Sequence, residues 1–327
     1  MRHLLTSGLL ALLIAGCGDT GTPSVSRVTV DAPGSQAGPQ EPAALKVAVV
    51  LKSLTNPFFV EMARGARRAQ QETGIDLQIK ATMPETSVEQ QIRIVEDQIK
   101  LRVQAIVISP VDTRRLVPAL KAAMDAGIKV VNIDERLHPD ALAANGMAPP
   151  PFIGVDNEQG AYRAAKFIAD QIRQPTEVLL IEGAAGTRTS ADRRAGAERA
   201  LRENPRLRIV ASGAANWKAD EARALAQRLF ALHPRAGVVI CGNDLMAMGV
   251  IEYLRASGKR GVRVGGYDAL DEAKGAIRAG QLTATVDQRA AEQGYLGVVT
   301  ALKLLRGEAV APQQLIETGL VTAGNLR

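Results

Sequence analysis

Short apolar runs rich in β-branched residues alternate with segments of helical periodicity from Leu45 to the end of the chain. Such runs are typical of strands buried on both faces of a parallel sheet, and intervening segments of about ten to fifteen residues are typical of crossover helices. One series of these units ends, and a second of similar length begins, near residues 154–157. The alternation therefore predicts an α/β fold with two doubly wound parallel-sheet lobes.

The first unit contains a strand, a turn and the start of a helix. Lys46–Leu51 is the strand, Asn56 caps the helix, and Pro57 takes the first helical position, where its missing N–H costs nothing. Asn56, Phe58 and Phe59 then lie at the carboxyl end of the strand, the edge at which open α/β sheets bind ligands. Adjacent helical residues cannot share one face, so at least one phenylalanine should face the strand ends. Packing of both rings against the sheet, and a plain capping role for Asn56, remain alternatives.

Composition and charge argue against several functional classes. The formal charge of +6 is modest for 327 residues, and the arginines are scattered along helical segments without a clustered basic tract, so we expect no nucleic-acid binding. The histidines, at positions 3, 138 and 233, lie away from the predicted strand ends, which argues against a histidine-based metal site or a Ser-His-Asp relay. The sequence therefore predicts neither a metal nor a cofactor.

The N-terminus predicts export. Arg2 precedes an apolar run from Leu4 to Ala15 that is too short to span a membrane. The run leads to Cys17 in a sequence that resembles the lipobox of bacterial lipoproteins, which implies a signal peptide over residues 1–16, lipidation of Cys17 and a tether over residues 17–44. An ordinary cleaved secretory peptide is the alternative. Both predict a protein of the cell envelope, periplasmic or extracytoplasmic.

Polar and aromatic side chains follow most of the predicted strands. They are Asn56, Phe58 and Phe59; Asp112; Asp134, Glu135 and Arg136; Arg193; Trp217; Asn243 and Asp244; Asp268; and Gln288. Carboxylates accept hydrogen bonds from sugar hydroxyls, arginines and amides donate to them, and flat aromatic rings pack against the C–H faces of a sugar. Each residue alone could be a helix cap, a turn residue or a core residue. Together they favour a sugar pocket.

Two competing motifs are weaker. The segment Gly183–Thr187 follows a strand and resembles a phosphate loop, but it lacks the Gly-Lys-Ser/Thr ending. Asp134 and Asp268 could serve as the acid and base of a glycosidase, an activity that depends on a carboxylate separation the sequence does not fix.

The ordered motifs resemble the ribose-binding-protein-like family of periplasmic sugar receptors, the type I periplasmic binding proteins, over residues 44–327. They are Asn56-Pro57-Phe58-Phe59, Ser109-Pro110-x-Asp112, Ile133-Asp134, Asp156-Asn157, Gly186-Thr187 followed by Arg193-x-x-Gly196, Cys241-Gly242-Asn243-Asp244 with Met246-Ala247-x-Gly249, Gly266-Tyr267-Asp268, and the region of Gln288. The resemblance implies two lobes joined by a three-crossing hinge: residues 45–155 plus 289–316 in the N-terminal lobe, and 156–288 plus 317–327 in the C-terminal lobe.

The resemblance also implies a monomeric, non-enzymatic receptor that closes on a monosaccharide or related polyol and delivers it to an ABC permease. The implied ligand contacts are Asn56, Phe58, Phe59, Asp134, Arg136, Arg193, Trp217, Asn243, Asp268 and Gln288. Two positions depart from the family pattern. Trp217 replaces a common phenylalanine, and Glu135 stands before Arg136 where an arginine often directly follows the aspartate.

Two other functions are compatible with these motifs, and a third is disfavoured. A sensor of the same fold would present its ligand to a membrane kinase or chemoreceptor, or bind a furanose-like signal. An enzyme would turn over its sugar. Repressors related to the lac repressor share the lobes but carry an N-terminal helix-turn-helix, and this chain has the signal and tether at that place.

Overall fold

The computed structural model describes residues 44–326. The predicted signal peptide, the lipidation site Cys17 and most of the tether lie outside these residues. The first lobe begins with β1 (Lys46–Leu51), α1 (Pro57–Thr73), β2 (Asp76–Ala81), α2 (Val88–Lys100), β3 (Ala105–Ile108), α3 (Val117–Asp125), β4 (Lys129–Ile133), α4 (Pro139–Ala144) and β5 (Phe152–Val155).

The second lobe follows directly. It contains α5 (Asn157–Ala169), β6 (Thr176–Glu182), α6 (Arg188–Arg202), β7 (Leu207–Ala214), α7 (Ala219–Leu232), β8 (Ala236–Cys241), α8 (Asp244–Ala256), β9 (Arg263–Gly265), α9 (Asp271–Arg278) and β10 (Ala284–Asp287). The chain then returns through α10 (Ala290–Leu305) and β11 (Gln313–Ile316) before it ends with β12 (Gly319–Thr322).

Each lobe is built on a six-stranded sheet. The strand order is β11-β5-β4-β3-β1-β2 in the first sheet and β12-β10-β9-β8-β6-β7 in the second. All pairings are parallel except that of β10 with β12, which is antiparallel. The chain passes from one sheet to the other after β5, after β10 and after β11. The predicted α/β fold with two lobes is confirmed, while the assigned lobe boundaries stay a prediction.

The core explains why the strands are almost uniformly apolar. Val47, Val49 and Leu51 of β1 pack into one hydrophobic cluster, whereas Ala48 and Val50 pack into another on the opposite face of the sheet. Both faces are covered by helices, so the strand has no solvent face that would require alternating polar residues. The carboxyl edge of the sheet is left as the place where polar side chains gather.

The segment from His138 to Pro151, which its three consecutive prolines at 149–151 predict to be a loop, contains the short helix α4. Pro139 occupies the first helical position, and His138 caps the helix by accepting a hydrogen bond at Nδ1 from the Asp140 amide (3.2 Å). The prediction gave weight to the prolines at 149–151, which lie beyond the helix. Within residues 44–326, no helix combines the length and hydrophobicity that a membrane crossing requires.

Candidate functional site

A cleft between the lobes collects side chains from the carboxyl ends of both sheets and contains about 340 Å³ of space, part of which is open to solvent. We call it the interlobe cleft. It is lined by Lys52, Asn56, Phe58, Phe59, Glu85, Asp134, Glu135, Thr189, Arg193, Trp217, Asn243, Asp268 and Gln288. All of the ligand contacts expected from the sequence line this cleft except Arg136.

The turn that follows β4 positions two carboxylates toward Lys52. Asp134 adopts a left-handed backbone conformation (φ 64°), which is uncommon for a residue other than glycine. Its carboxylate accepts a hydrogen bond from Ser109 Oγ (2.6 Å) and lies 3.3 Å from Lys52 Nζ, while Glu135 Oε2 lies 3.6 Å from the same nitrogen. Burial acts to lower the pKa of Lys52, but attraction to the nearby carboxylates, Glu85 among them, outweighs it and raises the pKa above its usual value.

Asn56 both caps α1 and lines the interlobe cleft. Its Oδ1 accepts a hydrogen bond from the Phe58 amide (3.1 Å), and its Nδ2 donates to Glu85 Oε2 (3.3 Å). Phe58 and Phe59 are both buried and meet edge to face, with ring centroids 5.0 Å apart. The two alternatives for Asn56 are therefore compatible, because the cap is what holds the side chain at the strand end. Burial raises the pKa of Glu85.

Arg193 is the central cation of the second lobe. It projects from α6 and is only 6% exposed. Its Nε donates to Asn157 Oδ1 (2.9 Å), its Nη1 donates to the Gly242 carbonyl (2.8 Å), and Nη1 lies 3.6 Å from Asp268 Oδ1. The guanidinium also stacks on Tyr267, 3.7 Å from the ring centroid. This network fixes the orientation of a planar donor group before any ligand arrives.

Two buried carboxyl groups lie close to Arg193. Asp268 accepts a hydrogen bond from Gln288 Nε2 (2.6 Å), and its pKa is raised well above the usual value by burial, which outweighs the opposing effect of Arg193. Asp244 accepts hydrogen bonds from Thr285 Oγ1 (2.7 Å) and the Leu270 amide (2.9 Å), and burial raises its pKa to about 6. Asp244 therefore supports the backbone near Asp268 and does not line the cleft.

Trp217, the only tryptophan of the chain, presents its ring to the cleft from a constrained loop. Asn216 and Trp217 both have positive φ, 49° and 66°. The ring packs directly on Gly183, where an added Cβ would lie 2.0 Å from the indole. Asn243 caps α8 by accepting from the Met246 amide (2.9 Å) and donates to the Trp217 carbonyl (3.4 Å).

The structure does not bring Arg136 to the cleft. Its guanidinium stacks on Phe152, 3.9 Å from the ring centroid, and its Nη2 donates to Gln313 Oε1 (2.6 Å). Asn132 fixes this geometry by donating to the Glu135 carbonyl and accepting from the Leu137 amide. The resulting turn directs Glu135 into the cleft and Arg136 away from it.

Other residues also differ from the sequence expectation. Asp112 accepts hydrogen bonds from the amides of Arg114 and Arg115 in the turn before α3 and is absent from the cleft lining. The cleft residues Lys52, Glu85 and Thr189 were not predicted. Lys52 stands directly after β1, so the criterion that selected Asp134 would have found it. Among residues 44–326, no three histidine, cysteine or acidic side chains are grouped to hold a metal ion.

Comparison with known proteins agrees with this geometry. A family model described as a periplasmic binding protein domain matches residues 47–309. The chain is 39% identical over 292 residues to the D-ribose/D-allose-binding protein of Pseudomonas aeruginosa, which covers 87% of this chain and 90% of that protein. It is 33% identical over 288 residues to the D-allose-binding periplasmic protein of Escherichia coli, with coverage of 86% and 93%.

A solved structure of a solute binding protein is also similar to this chain. The ABC transporter periplasmic solute binding protein from Actinobacillus succinogenes, with bound D-allose, aligns with a TM-score of 0.82 at 30% identity and covers 86% of this chain and 98% of its own. The likeness extends over both lobes, since the family match alone spans residues 47–309. This chain belongs to the periplasmic binding protein family.

Proposed function

We propose that this chain is the substrate-binding protein of an ABC sugar importer and that it binds one monosaccharide, or a related polyol, in the interlobe cleft. The observation that carries the proposal is the cleft lining, in which carboxylates, amides, two cations and aromatic rings converge from both lobes. Burying so many polar groups is costly unless a ligand satisfies them. A molecule covered with hydroxyl groups provides the donors and acceptors that this lining requires.

Each group has a role in this proposal. Asp134 and Asp268 accept hydrogen bonds from ligand hydroxyls, and Lys52, Arg193 and Gln288 donate to ligand oxygens. Asn56 and Asn243 are held by their capping bonds, so their remaining polar atoms are fixed in direction. The ligand lies between aromatic faces, with Phe58 and Phe59 on the first lobe and Trp217 on the second. Arg136 has no direct role.

D-allose and D-ribose are the first ligands to test, because the names of the relatives mention these two sugars. Their pyranose forms differ only by the hydroxymethyl group at C5, so the pair measures whether the cleft has room for that group. We expect one of the two sugars to raise the melting temperature strongly through its binding to the native state. Ligand recovered unchanged after release would show binding without turnover, which is expected because the relatives are named as binding proteins. No binding of any monosaccharide or polyol would refute the sugar assignment.

We further propose that the protein is a periplasmic lipoprotein anchored through Cys17 and that it is a monomer. The relative from Escherichia coli is named as periplasmic, which supports the compartment. The lipobox-like sequence before Cys17 supports the anchor. Replacing the residue (Cys17→Ala) should move the protein from the membrane fraction to the periplasmic fraction. A wild-type chain that is already free of the membrane would contradict the anchor.

A further inference from the structure

Apart from bonds at the hinge, one direct hydrogen bond among residues 44–326 joins the lobes. The amide of Thr189, in the first turn of α6, donates to Glu135 Oε1 of the first lobe at 3.2 Å. Both partners are buried, with Glu135 2% and Thr189 7% exposed. A charged acceptor that is shielded from water in this way strengthens the contact relative to an exposed one.

The Thr189 amide needs an acceptor from outside its own helix. The first amides of an α-helix have no partner within the helix, and α6 satisfies another of them internally, because Thr187 Oγ1 accepts from the Ser190 amide (3.4 Å). The adjacent amide is capped by Glu135 from the other lobe. A negative charge also interacts favourably with the positive end of the helix dipole at this position.

Glu135 is held in place to make this contact. Its carbonyl accepts a hydrogen bond from Asn132 Nδ2 (2.8 Å), its amide donates to the Ile133 carbonyl (2.8 Å), and its second carboxylate oxygen lies 3.6 Å from Lys52 Nζ. An acidic side chain therefore faces the first turn of α6.

We propose that Glu135 caps helix α6 from across the cleft. This contact stabilises the closed arrangement of the lobes when no ligand is bound, and it holds Thr189 at the place that it occupies in the closed form. Opening the cleft separates the carboxylate from the amide and returns both to water. The closed fraction of the free protein sets the apparent affinity for any ligand that binds the closed form. Glu135 is thus a positioning residue, and its effect precedes ligand contact.

The test measures the conformation of the empty protein. Donor and acceptor dyes are attached through Met83→Cys in the first lobe and Ala185→Cys in the second, both exposed positions, in a full-length chain that carries Cys17→Ser. Cys241 is buried and stays unlabelled. Single-molecule energy transfer then gives the closed-to-open ratio without ligand. We expect Glu135→Ala to lower that ratio roughly tenfold, the size of effect measured for lost helix caps.

Two further variants separate capping from other roles. Glu135→Gln keeps an oxygen acceptor but loses the charge, so we expect a smaller decrease of the same sign, about threefold. Thr187→Ala removes the cap that lies within the second lobe, so it should lower the free energy of unfolding and leave the closed-to-open ratio unchanged.

The closed-to-open ratio is measured without ligand, so it tests the capping contact independently of the sugar assignment. An unchanged ratio in both Glu135 variants would overturn the proposal, and weaker sugar binding with an unchanged ratio would make Glu135 a ligand contact only. A changed ratio supports the cap even if the sugar assignment fails.

Discussion

Replacing Arg193 by methionine tests the electrostatic design of the second lobe. The side chain is 6% exposed, donates hydrogen bonds to Asn157 and Gly242, and lies 3.6 Å from Asp268. Methionine fills a similar volume but provides neither the charge nor the donors. The variant therefore leaves a buried carboxylate without its cation and two acceptors without their donors.

The expected loss follows from these contacts. Unit charges 3.6 Å apart attract by about 4–5 kcal/mol at an effective dielectric constant of about 20. Part of the lost attraction is offset in the variant, because the guanidinium no longer has to be desolvated on folding. Removal of one partner of a buried pair typically lowers the free energy of unfolding by about 3–5 kcal/mol. We expect a loss in that range for Arg193→Met at pH 8.

The loss should depend on pH with a definite sign. Without Arg193, whose charge lowers the pKa of Asp268, that pKa rises further above its unfolded value of about 4. The native variant then keeps a proton that the unfolded chain releases, so the free energy of unfolding falls as pH rises. Because a proton on Asp268 removes the unpaired charge, the difference between wild type and variant should be smaller at pH 5 than at pH 8.

Urea denaturation followed by circular dichroism at pH 5 and pH 8 measures both effects. Arg194→Met is the matched control, because Arg194 is the next residue of α6 and forms an ion pair with Glu182 and Glu198, but its side chain is 45% exposed. A surface pair of this kind contributes under about 1 kcal/mol. Equal losses in the two variants, or a loss for Arg193→Met that is the same at both pH values, would refute the reasoning.

Three further variants test other parts of the site. Gly183→Ala places a Cβ 2.0 Å from the indole of Trp217, so the ring must move and ligand affinity should fall at least about tenfold. The control is Gly275→Ala, at an open position in α9. It should raise the free energy of unfolding by up to about 1 kcal/mol without changing ligand affinity. Calorimetric titration and intrinsic fluorescence distinguish the two, and an unmoved emission spectrum in Gly183→Ala would contradict the packing. Burial raises the pKa of Asp244 to about 6, so between about pH 4 and pH 6 the native state holds a proton that the unfolded chain releases, and the free energy of unfolding falls as pH rises. Asp244→Asn should make this fall smaller. A pH profile of the free energy of unfolding identical to that of the wild type would contradict the prediction. Arg136→Ala should leave ligand affinity within about twofold of wild type, since its guanidinium stacks on Phe152 outside the cleft, and a tenfold loss would restore Arg136 as a contact.

The fold could be predicted from the sequence because its signals are local. The apolar run of β1, the Asn56 cap and Pro57 specify a strand, a turn and a helix within about a dozen residues, and the same pattern recurs along the chain. The side chains that directly follow strands were found for the same reason. Helix α4 was missed because the prolines at 149–151 predict a loop, although they lie beyond the helix.

The direction of side chains after β4 could not be predicted in the same way. Sequence order suggests that Asp134 and Arg136 face the same way, two residues apart on an extended chain. The positive φ of Asp134 breaks that period, and the side chain of Asn132 holds the turn by donating to the Glu135 carbonyl and accepting from the Leu137 amide. A residue other than glycine seldom adopts this backbone conformation, so the sequence alone favours an extended chain, whereas in the fold Glu135 enters the cleft and Arg136 leaves it.

The cleft contains opposing contributions to closure. Burial is the main cause of the raised pKa of Asp268, and the charge of Asp134 in the first lobe adds to it, so the two carboxylates oppose each other across the cleft. Ligand hydroxyls that donate to both carboxylates spread this charge and make the closed form favourable. Glu135 acts in the opposite direction from that repulsion, because its carboxylate accepts a hydrogen bond from the first turn of α6 across the cleft. With the carboxylate repulsion and the Glu135 contact together, a receptor without ligand can be mostly open and still keep a small closed population. A ligand then needs only a modest preference in binding free energy for the closed form to make that form dominant.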